Sequence, residues 1–262
     1  MKSTSGAAPA FPGGPGRVAI LIPCFNERAT IGKVVRDFRA SLPEALVVVY
    51  DNGSSDGSRG EAEAAGALVG DEPRKGKGHV IRAMFRDIEA EVYVLVDGDD
   101  TYSAKDAGRL LAPIAEGRAD MVVGSRLAQD SGESFRPLNL IGNWMFTRLF
   151  NLLFGARISD TLSGYRALSR NLVRSLRLDS GGFDIETEIN IGAVEGGFRI
   201  AEVSLPYFRR PEGSQSKLNA FRDGFRVLMR ILLGSPRGRR RVMAAAAILA
   251  AALAAAAWLA GR

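Results

Sequence analysis

An α/β fold, with a mostly parallel sheet and helices on both faces, is predicted by three features of the chain. Strand-like and helix-like segments alternate. An acidic run, Asp97-Gly98-Asp99-Asp100, directly follows the apolar strand-like segment 92–96, where an open α/β sheet places its ligands. A polar turn from Asp51 to Gly57 follows an earlier strand-like segment in the same way.

Taken in order, residues 1–16 are rich in Gly, Pro, Ser and Ala and read as a disordered leader, with folding starting near Arg17. Segment 18–23 is a short apolar strand, and 30–40 follows with helical spacing at Ile31, Val34, Val35 and Phe38. Segment 45–50 is strand-like, and a helix begins near Ser58 after the polar turn. Segment 70–78 reads as a glycine-containing loop with Arg74, Lys75 and Lys77, suited to a phosphate but equally to solvent. It lacks Walker spacing, and no G-x-G-x-x-G turn follows the first strand, which disfavours a dinucleotide-dependent oxidoreductase. A strand at 121–124 leads to Arg126, a phosphate clamp or the partner of a local carboxylate. Segment 138–154 is an apolar helix carrying one charge, Arg148, and fits a bilayer surface or a buried core.

Phe221, Phe225, Leu228, Met229 and Leu232 recur at helical spacing beside Arg222, Arg226 and Arg230, the pattern of an amphipathic helix. Segment 242–260 is an uncharged apolar run of 19 residues, long enough to span a hydrocarbon core. Trp258 lies near one end, and Arg237, Arg239, Arg240 and Arg241 precede the other. The positive-inside rule therefore predicts a C-terminal single-pass anchor in the cell membrane with the preceding domain on its cytoplasmic side. The expected organisation is a catalytic domain over 17–216, an amphipathic juxtamembrane helix and basic linker over 217–241, and the anchor over 242–260.

A length of 262 residues and 46% hydrophobic content suffice for one large domain. The net charge of +6 owes much to the arginines before the apolar tail, which favours anionic lipid headgroups over nucleic acid. The single cysteine, Cys24, forms no internal disulfide and reads as a small buried thiol. The single histidine, His79, leaves no basis for a multi-histidine zinc site.

Carboxylates at a strand end suit a hard cation, Mg²⁺ or Mn²⁺, holding a diphosphate, so a nucleotide-activated substrate is the first expectation. The alternative is that the acidic run only forms a turn and a helix N-cap. Further motifs bear on this. Ile22-Pro23-Cys24-Phe25-Asn26-Glu27, the Asp51–Gly57 turn and Asp97-Gly98-Asp99 occur in the order found in family 2 glycosyltransferases, which the chain resembles. Gly124-Ser125-Arg126, Asp160-Thr161-Leu162-Ser163-Gly164-Tyr165-Arg166, the segment from Phe183 to Glu188 and that from Arg210 to Leu218 look like the polyprenyl-phosphate sugar synthases of the dolichol-phosphate mannose and glucose type.

The resemblance implies a GT-A-type, Rossmann-like fold and inverting transfer of a hexose from a UDP- or GDP-linked sugar to polyprenyl phosphate. It places Pro23, Asn26, Glu27, Asp51 and Asn52 around the nucleotide, with Asn52 replacing the family's usual second Asp, and Lys77 of the glycine-containing loop is expected to join them at the phosphates. Asp97 and Asp99 take the metal, Asp97 also facing the donor sugar. Thr101 stands where mannose synthases often carry Gln and is a poorer ligand. Arg126 faces the acceptor phosphate, and Asp160 orients substrate rather than removing a proton. Tyr165, Arg166 and Glu186 complete the substrate site, and Asp184, Glu186 and Glu188 alternate on a segment where some would only cap or solvate a helix. Arg209, Arg210, Ser214, Ser216 and Lys217 form a basic loop able to close over the diphosphate. Two other readings stand beside this one: transfer to a surface glycan or other non-lipid acceptor, and a noncatalytic membrane protein that binds sugar nucleotides.

Overall fold

The computed structural model describes residues 16–126, 137–236 and 238–244. The elements are β1 (Gly16–Cys24), α1 (Ile31–Ser41), β2 (Leu46–Asp51), α2 (Ser58–Ala64), β3 (Leu68–Asp71), α3 (Lys77–Asp87), β4 (Ala90–Leu95), α4 (Ala107–Ala115), β5 (Met121–Ser125), α5 (Pro137–Phe154), β6 (Arg166–Ser169), α6 (Arg170–Ser175), α7 (Ile185–Glu195), β7 (Ile200–Ser204) and α8 (Ala220–Leu233). Among the described residues the strands form one sheet, ordered β3-β2-β1-β4-β6-β5-β7. All pairs are parallel except those made by β6, which runs antiparallel to β4 and β5.

The apolar runs are continuous because both faces of the sheet are covered. In β1, Ile20 and Ile22 pack with Ile31, Val34, Val35 and Phe38 of α1 and Leu110 of α4. Ala19 and Leu21 point the other way, to Val80, Ile81 and Met84 of α3 and Ile185 and Ile189 of α7. Each such aliphatic side chain stabilises the fold by about 1.5–3 kcal/mol. An expected mostly parallel sheet with helices on both faces is therefore what forms.

The segment expected as a loop over 70–78 is instead the end of β3, a short connection, and the first turn of α3. Tertiary pairing outweighed local composition there. Gly70 extends an edge strand against β2, and a Cβ on it would lie 2.6 Å from the Tyr50 ring. Gly16, assigned to the leader, is already paired with Ala90; the leader's other residues lie outside the described residues.

Helix α5 has both of the characters that its sequence left open. Phe150 and Phe154 are buried with Ile191 of α7 and Val227 and Ile231 of α8, whereas Ile141, Trp144, Met145 and Leu152 are exposed. Helix α8 buries Asp223, Val227 and Ile231, leaving Phe221 92% and Phe225 63% exposed. The basic stripe expected along it divides: Arg230 is taken inward by Asp184 at 2.9 Å and Glu188 at 3.0 Å, while Arg222 and Arg226 stay exposed. Among the described residues no helix is long and apolar enough to cross a membrane. Of the span expected over 242–260, Val242, Met243 and Ala244 are described and helical, and the remainder, with Trp258, lies outside the described residues, as does Arg237.

Candidate active site

Parallel pairing levels the ends of three strands: Cys24 lies across from Asp51, and Leu21 across from Leu95. Chain order reverses between β1 and β4, so the segments leaving β1, β2 and β4 open onto one crevice at the sheet's carboxyl edge. Strand β5, aligned with β4 through the antiparallel β6, delivers Arg126 to the same edge.

The loop after β1 turns sharply at Asn26, whose φ of 52° is left-handed, a conformation asparagine tolerates better than most residues. This turn knits two loops together. Asn26 N–H donates to Ser54 Oγ at 2.9 Å, Ser55 N–H donates to Asn26 Oδ1 at 2.9 Å, and Glu27 N–H donates to Ser58 Oγ at 2.8 Å. Pro23 is half-buried at the end of β1. Asp51 Oδ2 accepts from the Gly53 and Ser54 N–H groups at 3.0 and 2.9 Å, while its Oδ1 is buried without a protein partner. A buried carboxylate oxygen with spare capacity suits a nucleotide donor group. Asn52 differs. Its amide donates to Glu72 O at 2.6 Å and Arg74 O at 2.9 Å and accepts from Gly76 N–H at 2.7 Å, so the side chain expected at the nucleotide instead holds the segment before α3.

That segment positions Lys77, which bridges Asp97 at 2.5 Å and Glu186 at 2.6 Å. Burial would lower its pKa, but the two carboxylates hold it above the usual lysine range. Burial likewise opposes ionisation of Asp97, yet the Lys77 charge, aided by Arg210 and Arg126, holds its carboxyl below the usual range. Gly164 lies close alongside, and a Cβ there would push the Asp97 carboxylate out of place.

Within the acidic run the neighbours diverge. Asp100, at φ 59°, pairs with Lys33 at 2.8 Å, whereas Asp99 is buried. The cap of the following short 3-10 turn is the Ser103 side chain rather than any of the aspartates. Asp99 Oδ1 accepts from the Thr101 hydroxyl at 2.6 Å, and its Oδ2 meets Arg210 Nη2. Burial and then the Asp97 charge push the Asp99 carboxyl above its usual range. Two hard oxygen donors, Asp97 facing Lys77 and Asp99 facing Arg210, would fit Mg²⁺ or Mn²⁺, for which one or two carboxylates plus phosphate and water suffice. Among the described residues no group of three or more His, Cys, Asp or Glu side chains gathers around one point, so substrate oxygens would complete the coordination. Thr101, doubted as a ligand, orients Asp99.

The loop before α8 closes the crevice. Arg210 Nη1 lies 3.1 Å from both Glu27 Oε1 and Ser214 Oγ; Ser214 Oγ also donates to Glu27 Oε2; and Lys217 Nζ lies 2.7 Å from Glu27 Oε1 and from Asn26 O. Arg209 and Ser216, expected in the site, are exposed.

At the far end, Arg126 forms a two-pronged pair with Asp160 at 2.7 and 2.8 Å, and Asn143 of α5 donates to the same carboxylate at 2.9 Å. The Asp160 side chain is fully buried; burial opposes its charge, but Arg126 holds its pKa below the usual range. Tyr165 and Arg166 are fully buried and lie behind the site rather than in it. The Tyr165 ring packs on Phe38 and Tyr102, and Arg166 donates to Ser163 O, Thr161 O, Glu186 O and Asn190 Oδ1, tying the Asp160 loop to α7. Asp184, Glu186 and Glu188 are buried ion-pair partners, not solvated caps. Sequence reading missed Asn143 and Tyr207, the latter with its ring centroid 5.4 Å from the Arg126 guanidinium. Asn143 and Thr147, four residues apart on an apolar helix, were the available signal, since both face the Asp160 loop.

Residues 19–177 match the family model described as glycosyl transferase family 2. The chain belongs to this family. The transferase is 40% identical over 211 residues to "Glycosyltransferase AglJ" of Haloferax volcanii, covering 80% of this chain and 69% of the relative. It is 31% identical to the "Dolichyl-phosphate hexose transferase" of the same organism, over 79% and 89% of the two chains. Among solved structures, glucosyl-3-phosphoglycerate synthase from Mycobacterium tuberculosis in complex with Mn²⁺ and UDP-glucose has the same fold, with a TM-score of 0.66 at 21% identity over 81% of this transferase and 77% of that chain.

Proposed function

We propose that the transferase moves a hexose, with inversion, from a nucleoside diphosphate sugar to polyprenyl phosphate at the cytoplasmic face of a membrane. The observation that carries this reading is the charge arrangement at the sheet edge: Asp97, Asp99 and Glu27 are interleaved with Lys77, Arg210 and Lys217. Such an arrangement suits a diphosphate and its counter-cation. A relative named for hexose transfer to dolichyl phosphate supports the acceptor, and a likeness to a fold that binds Mn²⁺ with UDP-glucose is consistent with the donor.

An acceptor phosphate oxygen attacks the anomeric carbon as the bond from that carbon to the diphosphate oxygen breaks. A phosphate monoester, with a second pKa of about 6, needs no base to attack at neutral pH. That agrees with Asp160 being spent on Arg126. Arg126 would face the acceptor phosphate, and Arg210 with Lys217 would stabilise the departing diphosphate. Held by Asp97 and Asp99, Mg²⁺ or Mn²⁺ would supply further charge neutralisation on that leaving group. Asp51 would accept from the nucleoside through Oδ1.

The membrane half of the reading is supported by α5 and α8, which pack together and expose Trp144, Met145, Phe221 and Phe225. The apolar run over 242–260 continues from them as the proposed anchor. Purified protein incubated with UDP- and GDP-sugars, Mn²⁺ and polyprenyl phosphate should release nucleotide only when the lipid is present. Release with a free glycan but not the lipid would transfer the function to a non-lipid acceptor, and binding without turnover would make the protein a noncatalytic sugar-nucleotide binder.

A further inference from the structure

Asp99 Oδ1 is bonded to the Thr101 hydroxyl and Oδ2 to the Arg210 guanidinium, so both oxygens of the best-placed metal ligand are already in use. A divalent cation at Asp99 and the Arg210 side chain contend for one oxygen. The loop that carries Arg210 has separate moorings: Lys217 and Ser214 hold Glu27, Lys217 holds Asn26 O, and Phe208 N–H donates to Thr101 O at 3.0 Å. The guanidinium can therefore leave Asp99 while the loop stays docked. Arg210 is also partly exposed, with 26% of its side chain accessible, unlike fully buried Arg166.

We propose that Arg210 is a charge-exchange residue, which competes with the divalent cation for Asp99 and passes to the diphosphate when the cation arrives. This rests on the reading of the crevice as a metal–diphosphate site. Without a nucleotide, a metal ion must displace a guanidinium left with Glu27 alone, a carboxylate already shared with Lys217 and Ser214, so metal alone binds weakly. With the diphosphate present, the displaced guanidinium gains two phosphate groups, and metal and nucleotide bind with positive coupling. The exchange lets binding of the complete donor select the loop position that supports the leaving group, and it discourages metal from binding without substrate.

The test is the affinity for Mn²⁺, read by electron paramagnetic resonance of the free ion, without nucleotide and with UDP or GDP. Arg210→Ala should bind Mn²⁺ alone about fivefold or more tightly than the unaltered protein. Its gain in Mn²⁺ affinity on adding nucleotide should shrink by a similar factor. Lys217→Ala removes the same charge from the same loop without touching Asp99, and should change the affinity for Mn²⁺ alone by less than about twofold. Equal tightening in both variants would mean a general field effect, and unchanged Mn²⁺ affinity in Arg210→Ala would mean no contention; either overturns the exchange while leaving the metal site in place. Failure of every protein to bind Mn²⁺, with or without nucleotide, overturns the site reading and the exchange together.

Discussion

The two ends of the crevice use the same kinds of charge in opposite ways. At the β5 end, Arg126 and Asp160 face each other in a two-pronged pair with Asn143 as a further donor, and the Asp160 side chain has no exposure to solvent. At the β1–β4 end, Arg210 and Lys217 reach across from a surface loop to Glu27 and Asp99 and keep about a quarter of their side chains accessible. A buried, doubly bonded pair is expensive to open and therefore fixes the position from which Arg126 would meet the acceptor phosphate. A half-open one can be exchanged for a ligand. Among charge pairs that look alike in sequence, the exposure of the basic partner separates a fixed charge from an exchangeable one.

The largest expected effect falls on the closed end. Asp160→Ala removes the two-pronged carboxylate partner of Arg126 and should cost about 3–5 kcal/mol of stability, lowering the melting temperature by roughly 10 °C or more. A thermal scan showing no change would erase the distinction between the two ends. The pair also predicts a pH dependence. Because the folded pKa of Asp160 lies below its unfolded value, its contribution is complete above about pH 4 and lost as pH falls through the folded value. Asp160→Asn should therefore flatten the acid side of the stability profile.

At the open end the effect should move from stability to chemistry. Asp99→Asn should reduce turnover by about 100-fold or more with little change in melting temperature, since it removes charge from a site built to bind it. Retained activity would remove Asp99 from the site. A smaller change is expected at the exposed helices, where Phe221→Ser with Phe225→Ser should weaken partition onto anionic vesicles by roughly tenfold without altering the fold. Sedimentation with vesicles measures it, and equal partition would argue against a membrane-facing α8. The smallest effect is at Cys24, whose thiol is pushed up to about 12 by burial and then the Asp51 charge. It should resist alkylation in the native protein at neutral pH and react on unfolding.

The sheet was legible because its code is local: apolar runs of strand length, each followed by a polar turn and a helical stripe. The acidic ends of β2 and β4 were legible for the same reason. Asn52, Tyr165 and Arg166 were not, because nothing in their spacing distinguishes a side chain aimed at a ligand from one aimed at its neighbours. Asn52 is consumed by the backbone of residues 72–76, a contact made only once β3 pairs with β2. Arg166 is consumed by carbonyls of its own loop and of α7. The roles of Asn143 and Tyr207 depend on α5 and the segment after β7 meeting at Arg126, a juxtaposition of distant segments with only the Asn143–Thr147 stripe to announce it.

The proposed function requires one crevice at the sheet edge to bind a cation-bridged nucleoside diphosphate. Calorimetric titration of the purified protein with UDP and GDP, in Mn²⁺ and again in a chelator, tests it most directly. Binding of one nucleotide that is strong with Mn²⁺, at least about tenfold weaker in chelator and lost in Asp99→Asn is the predicted result. Equal heats with and without the metal, or no binding of either nucleotide, would contradict it.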